Sequence, residues 1–398
     1  MSPAEPRPAN ARRVTPLLVA TGISVTGDGA VLAAAPLLAA ALTQDPIAVS
    51  AVTAGFYLPW LVFSLPAGAL VDRWPRRRVM VSTDLLRFAV LAGLVGMIAA
   101  RRITVPLLVI AAILVGMAQT FFDSAAQAII PAVVGREKEN LARVNGRYWA
   151  VDTMGRTLLG PPLGSALLAL RRVLPFAVDA LSFLASAALV RLLPEPASAR
   201  GPRERVDAAV RAGMRHLFQT RDLRVLALSM SAYNGAFSVA TGPFVLYATG
   251  VLRVPSALYG ALLAISAIGG VVAGWRAPAL TRQLSYRQTM TVAHLMQAAA
   301  WAGIAVTAEI GLAVVLLMIL GASSSLSSVA VGSARQAMTP DELLGRIVST
   351  FRLFSLGSAG FGALVGGLVA RAFGLVAPLW VAASVLALGG VLTWPRGG

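Results

Sequence analysis

Five aspartates, Asp28, Asp84, Asp123, Asp152 and Asp179, sit inside long apolar stretches of this sequence, and Arg87, Arg147, Arg156 and Arg352 sit there with them. A carboxyl group lodged among apolar side chains is costly to keep ionised, so it is a natural place to bind and release a proton. Asp84 and Arg87 are three residues apart and Asp152 and Arg156 four apart. On helices each pair shares a face, and the arginine favours the charged acid. Asp28 stands between Gly27 and Gly29 with no basic residue within four positions. It is therefore singled out as the proton-coupling carboxylate, with Arg156 as a cation that competes for it or binds an anionic substrate. Permanent pairing of Asp28 with Arg156 or Arg352 is the structural alternative. Asp123 lies one helical turn from Gln127, which suits a gating role, and Asp179 lies near the end of its stretch, where it can reach water. Beyond Asp222 the only acids are Glu309, Asp341 and Glu342, so an intramembrane carboxylate belongs to the first half of the chain. Other chemistries lack their residues. Cysteine is absent and the histidines are His216 and His294, which argues against a metal centre or a thiol nucleophile. No nucleotide cradle is present, so neither a cofactor nor an ATP-driven step is expected.

The stretches that carry these groups read as membrane spans. Of 398 residues, 57% are hydrophobic and 13% charged, where a soluble domain carries about 25% charged residues. This excludes a soluble enzyme and a nucleic-acid binder, despite a net charge of +17. A helix needs roughly 20 apolar residues to cross the hydrocarbon core. Runs of that kind occupy 15–42, 47–71, 79–100, 105–134, 144–170, 173–193, 225–247, 256–275, 288–308, 310–335, 347–370 and 375–394. The first is too long for a cleavable signal sequence. With the N-terminus inside, Arg101, Arg102, Arg171, Arg172, Arg253 and Arg371 fall in outer loops, and every other basic residue outside the span interiors falls on the inner side. That bias places both termini in the cytoplasm.

The longest polar stretch, 194–224, divides the chain into two six-span units, 15–193 and 225–394, with tails at 1–14 and 395–398. Within it Val206, Val210, Met214 and Phe218 recur every four residues. This is the stripe of an amphipathic helix that either lies on the inner membrane surface or packs against helix ends. The two units echo each other. Gln127-Ala-Ile-Ile-Pro131 closes the fourth span and Gln336-Ala-Met-Thr-Pro340 the tenth; each is followed by Leu-x-Arg (Leu141 to Arg143, Leu344 to Arg346) and a glycine-rich helix. Parallel repeats of this kind place a binding site where the units meet.

Between spans two and three runs Gly68-Ala-Leu-Val-Asp72-Arg73-Trp-Pro-Arg76-Arg77-Arg78. It resembles the loop signature of the major facilitator superfamily, with Pro75 where glycine is usual. Gly27-Asp28, Leu65-Pro-Ala-Gly-Ala-Leu-Val-Asp-Arg73, Phe121-Phe-Asp123 and Asp179-Ala-Leu-Ser-Phe183 are similar to the branch of bacterial siderophore and macrolide exporters. The resemblance implies a cytoplasmic gate. Gly68 admits a neighbouring helix, Asp72 meets the positive end of span eleven near 344–347, and Arg73, Arg76 and Arg77 pair with acids or lipid headgroups. Asp84 and Arg87 are assigned to the same gate. Span five carries Gly155-Arg-Thr-Leu-Leu-Gly160-Pro161-Pro-Leu-Gly164, which resembles the antiporter motif of that span, its first glycine five rather than four positions before Gly160. By the same resemblance, spans five, eight, two and eleven line the seam between the units. Gly155, Gly160, Pro161, Gly164, Gly270, Gly274, Gly362 and Gly366 fit a rocking interface there, with generic helix packing as the alternative. Spans one, four, seven and ten would line the cavity, which brings in Gln119, Phe122, Tyr233, Asn234 and Ser323, with Arg147 among the cations within spans.

The expectation is an all-α membrane protein of twelve spans in two pseudo-symmetric six-helix bundles, the major facilitator fold, in a bacterial inner membrane. Its implied activity is proton-coupled export of a small organic molecule, such as a drug, antibiotic or siderophore, by alternating access. It would work as a monomer, with substrate, protons and lipid as partners and no nucleic acid. An uptake permease and a non-transporting protein such as a scramblase are the alternatives.

Overall fold

The computed structural model describes residues 11–71, 73–134, 138–193, 206–340 and 343–394. Among these residues every regular element is a helix. The first four spans are α1 (Ala11–Leu42), α2 (Pro46–Val71), α3 (Arg76–Ala99) and α4 (Val105–Val134). The fifth is a single rod made of α5 (Lys138–Thr153), a π-helical turn (Met154–Leu159) and α6 (Gly160–Leu170), and the sixth is α7 (Leu174–Arg191). The linker forms α8 (Val206–Gln219). The seventh pass is α9 (Arg221–Thr241) continued by α10 (Phe244–Gly250), followed by α11 (Tyr259–Gln283), α12 (Tyr286–Val306), α13 (Ile310–Met338), α14 (Leu344–Phe373) and α15 (Ala377–Thr393). Nine of the described helices are long and apolar enough to cross a membrane. The interrupted fifth and seventh passes and the 17-residue α15 complete the twelve. The expected all-helical fold holds.

The π turn has a local cause. Pro161 and Pro162 have no N–H to give, and their rings crowd the carbonyls of the preceding turn. The chain answers with a wider step in which the Gly160 N–H bonds to the Gly155 carbonyl, five residues back. The five-residue glycine spacing thereby keeps Gly155, Gly160 and Gly164 on one face, pressed onto α1. A β-carbon at Gly155 would lie 2.9 Å from Thr26 Oγ1, one at Gly160 would lie 2.6 Å from Gly29 Cα, and one at Gly164 would overlap the Ala30 backbone.

These glycines therefore pack the fifth pass within its own half, which corrects their expected place at the seam. Gly270 and Gly274 likewise face α13, and Gly362 and Gly366 face α9. The seam glycines are Gly357, Gly360 and Gly367 of α14, set against Leu61, Leu58 and Ser50 of α2, and Gly260 of α11, set against Pro161 and Ser165. Glycines four apart admit any close neighbour, so spacing alone does not say which neighbour comes.

The two halves join differently at their two ends. With the ends named by the expected orientation, one buried apolar core at the outer end unites Val31, Leu38, Phe176 and Phe183 with Phe244, Tyr247 and Trp301 of the second half. On the inner side the cores are separate: Leu17, Phe122, Tyr148 and Val190 in the first half, and Leu217, Leu226, Met290 and Phe351 in the second. A polar clasp closes the outer end of the α6–α11 contact. There Ser165 Oγ donates to the Ala257 carbonyl at 2.9 Å and accepts from the Gly260 N–H at 3.2 Å. Among the described residues α5 makes no extended contact with α11, whereas α2 and α14 pack along their length. α8 rests on α14 and α9, with Gly213 facing Arg346 and Thr350 and the Phe218 ring edge-on to Phe354 at 6.0 Å.

Candidate functional site

A cavity of about 360 Å³ is lined by residues that include Leu32, Asp179, Gln127 and Arg352. Its walls are aromatic where α2 contributes Phe56, Tyr57 and Trp60 and α5 contributes Tyr148 and Trp149. Four aspartates line it, Asp28, Asp123, Asp152 and Asp179, against two arginines, Arg156 and Arg352. The second half supplies Arg352, Ser355 and Leu356 of α14.

Asp28 is the hub. It is buried, with Oδ2 3.2 Å from Arg156 Nη1 and Oδ1 3.8 Å from Arg87 Nη1. The other amino nitrogen of Arg156 lies 3.2 Å from Asp152 Oδ1, so one guanidinium bridges two aspartates. Arg156 stands on the π turn, and Gly29 leaves room for its backbone to approach α1. The Asp28–Arg156 pairing was legible as a possibility. The second partner, Arg87, was not. Arg352 lies elsewhere, over the Trp60 ring at 5.6 Å and against the Gln127 amide, whose oxygen accepts from it when turned toward the guanidinium.

Arg87 and Asp84 were assigned to the cytoplasmic gate, and the structure corrects this. Arg87 lies eleven residues beyond Arg76, about 16 Å along the helix axis. It has no exposed surface, bonds to Asp84 and to Gln119 Oε1, and is held between the Phe122 and Phe183 rings, its centre 4.6 and 4.1 Å from theirs. The chain of bonds continues from Gln119 Nε2, which donates to Asp123 Oδ1 at 2.8 Å. Phe122 thus stands behind the wall, stacked on Arg87, and not on the wall itself.

Asp179 was expected to reach water, yet it is 1% exposed. Its carboxyl lies against Gly27, where a side chain would collide with it, and Oδ1 accepts from Ser182 Oγ at 2.9 Å. The glycine beside Asp28 was the available sign that another group comes close. Tyr233 and Asn234 do not line the cavity. Tyr233 shares a hydrogen with Ser323 at 3.0 Å and packs edge-on to His294, while Asn234 donates to Ser355 Oγ at 2.8 Å and to the Met230 carbonyl at 3.0 Å. These bonds satisfy polar groups within the second half. Arg147 is exposed and away from the wall.

At the inner loop, Asp72 lies outside the described residues. Gly68 faces Ser349 of α14, as expected for a close approach of helices. Arg73 is exposed at the turn. Arg76 Nη1 donates to the Ala128 carbonyl at 2.8 Å and Arg77 Nη1 to the Leu193 carbonyl at 3.1 Å. These carbonyls lie near the inner ends of α4 and α7, where a helix presents partial negative charge. Among the described residues no cluster of metal-binding side chains occurs.

The profile of a family described as transmembrane secretion effector matches residues 7–395. The multidrug efflux pump Tap of Mycolicibacterium fortuitum is 28% identical over 373 residues, covering 90% of each chain. The nucleoside transporter NupG superposes with a TM-score of 0.76 at 13% identity, over 96% of this chain and 99% of that one. A bacterial homologue of the iron transporter ferroportin in its inward-facing state superposes with a TM-score of 0.74 at 18% identity, over 96% and 98%. At such identities the structures show the fold alone, while the profile covers nearly the whole sequence. The chain belongs to the transmembrane secretion effector family of the major facilitator superfamily, and it is a multi-pass membrane transporter.

Proposed function

We propose that this chain exports small organic molecules, drug-like compounds among them, in exchange for protons across a bacterial inner membrane. The observation that carries the reading is a single buried carboxylate, Asp28, shared by Arg156 and Arg87 on the wall of an aromatic cavity. A proton arriving on Asp28 removes its hold on Arg156, which keeps Asp152 as its partner. The cavity's charge and the pose of Arg156 then depend on protonation, which is what coupling requires. Four acids against two arginines favour a cation, and the aromatic walls suit a flat, apolar one. The named activity of the Tap relative supports efflux over uptake. The joined outer core and divided inner cores support a cavity reached from inside, with rocking about the α2–α14 seam to expose it outside. We take the unit to be a monomer with both termini in the cytoplasm.

The test is accumulation of a substrate panel that includes ethidium in inverted vesicles, with and without a protonophore. Accumulation that collapses with the gradient and is lost in Asp28→Asn is the expected result. Accumulation that survives collapse excludes proton exchange, and accumulation confined to right-side-out vesicles means uptake.

A further inference from the structure

Asp179-Ala-Leu-Ser-Phe183 has no task in the scheme above, yet its side chains converge on the hub. Ser182 Oγ bonds to Asp179 Oδ1, and the Phe183 ring covers the Arg87 guanidinium. Asp179 Oδ2 has no hydrogen-bond partner, and the residue makes no ion pair among the described residues. α7 packs on α1, α3 and α6. The charged groups those helices bring toward it are Asp28 from α1 and Asp84 and Arg87 from α3, with Arg156 on the adjoining π turn; α6 brings none. Arg87 is already engaged by Asp84 and Gln119, and Arg156 by Asp28 and Asp152. Every cation near Asp179 is therefore committed to another acid. Gly27 lets the Asp179 carboxyl lie against the α1 backbone one residue from Asp28, and both acids open onto the same cavity.

We infer that Asp179 is a second proton-binding site, occupied in this conformation, which exchanges its proton with Asp28 across the cavity. This rests on the proposed proton coupling. In the hand-off the O–H bond on Asp179 breaks and one forms on Asp28; the negative charge moves to Asp179, and Arg156 loses its hold on Asp28 while keeping Asp152. Ser182 Oγ then donates to a carboxylate, a stronger bond than it makes to the neutral acid. Phe183 and Phe122 keep Arg87 facing Asp84, so that this guanidinium does not swing over and neutralise Asp179.

Infrared spectroscopy of the purified full chain reads this directly, without any substrate. The wild type at neutral pH should show the carbonyl stretch of a protonated carboxyl, shifted in heavy water. That component should persist in Asp28→Asn and vanish in Asp179→Asn, with the helical content of both variants unchanged. A band unchanged in Asp179→Asn, or no such band in the wild type, overturns the inference. Gly27→Ala, whose added carbon displaces the Asp179 carboxyl, guards against a folding artefact. It should shift the band without deleting it, and an unmoved band counts against the placement. In inverted vesicles Asp179→Asn should lose proton-driven accumulation of ethidium by roughly tenfold or more. Retained accumulation overturns the inference and leaves export standing. A wild type that never accumulates ethidium or any panel compound against its gradient sinks the export reading, while the infrared result judges Asp179 on its own.

Discussion

Replacing Arg87 with methionine removes a fully buried charge of the first half while keeping an unbranched side chain between Phe122 and Phe183. Neither Arg87 nor Asp84 has exposed surface. Deleting one partner of such a pair leaves the other charge uncompensated, which costs about 3–5 kcal/mol. The two ring contacts of the guanidinium add about 1–2 kcal/mol; methionine sulfur recovers much of that against the same rings, about 0.5–1 kcal/mol. A net loss of about 3.5–6 kcal/mol follows, a large share of the total of about 5–15 kcal/mol typical of folded proteins. Equilibrium unfolding in mixed micelles measures it. The cycle is completed by Asp84→Asn and by the double variant, in which no lone charge remains at that pair and Asp28 keeps Arg156. The double variant should be more stable than the sum of the single losses predicts, by about 2 kcal/mol or more. A single-variant loss below about 1 kcal/mol, or strict additivity, would refute the reasoning that this arginine is a structural counter-charge.

Two further outcomes follow from the seam and the inner surface. Ser165→Ala removes both bonds of the outer clasp, worth about 1 kcal/mol each, and should shift the population by up to roughly 30-fold toward an open outer side. Because the chain has no cysteine, spin labels on cysteines placed at Leu170 and Leu258, both exposed, report the distance directly; no added long-distance component means that the clasp does not hold the seam. At the inner surface the hydrogen bond from Arg287 to Asp222, at 2.6 Å, with Tyr286 assisting, holds the Asp222 carboxyl below its ordinary 3.8. A depressed carboxyl pKa stabilises the folded chain above the unfolded value, and the gain disappears as pH falls through the folded one. With Asp222 46% and Arg287 30% exposed, the effect stays below about 1 kcal/mol. Asp222→Asn should therefore melt slightly earlier than wild type at neutral pH and together with it in strong acid; a gap that widens on acidification contradicts the assignment.

Hydropathy alone located the helices, because twenty apolar residues in a row have few other uses, and it gave the ion pairs that lie within one helix. Asp152–Arg156 and Asp84–Arg87 needed only the helical repeat. What spans different helices stayed hidden. Nothing near Asp28 in the chain points to Arg87, fifty-nine residues on, and nothing in Gln127 points to Arg352. Tyr233 and Asn234 looked like pathway residues because polar groups in an apolar run attract suspicion, whereas each satisfies a neighbour inside its own bundle. The glycines erred in the same way, since a gap in a helix surface says that something fits there without saying what. Asp179 was misread by depth, because its distance from the helix end ignored Gly27 and the apolar residues above it.

The second half touches the cavity with a single turn of α14, Arg352 to Leu356, and four glycines of its seam helices, Gly260, Gly357, Gly360 and Gly367, admit α6 and α2 closely. Recognition and motion are thus divided between the bundles. One bundle is the chemist and carries nearly all the polar wall; the other is a smooth-sided lever. Variation in what this protein carries has its natural home in residues 15–193, and exchanging the lever alone would alter how fast the machine turns over far more than what it selects.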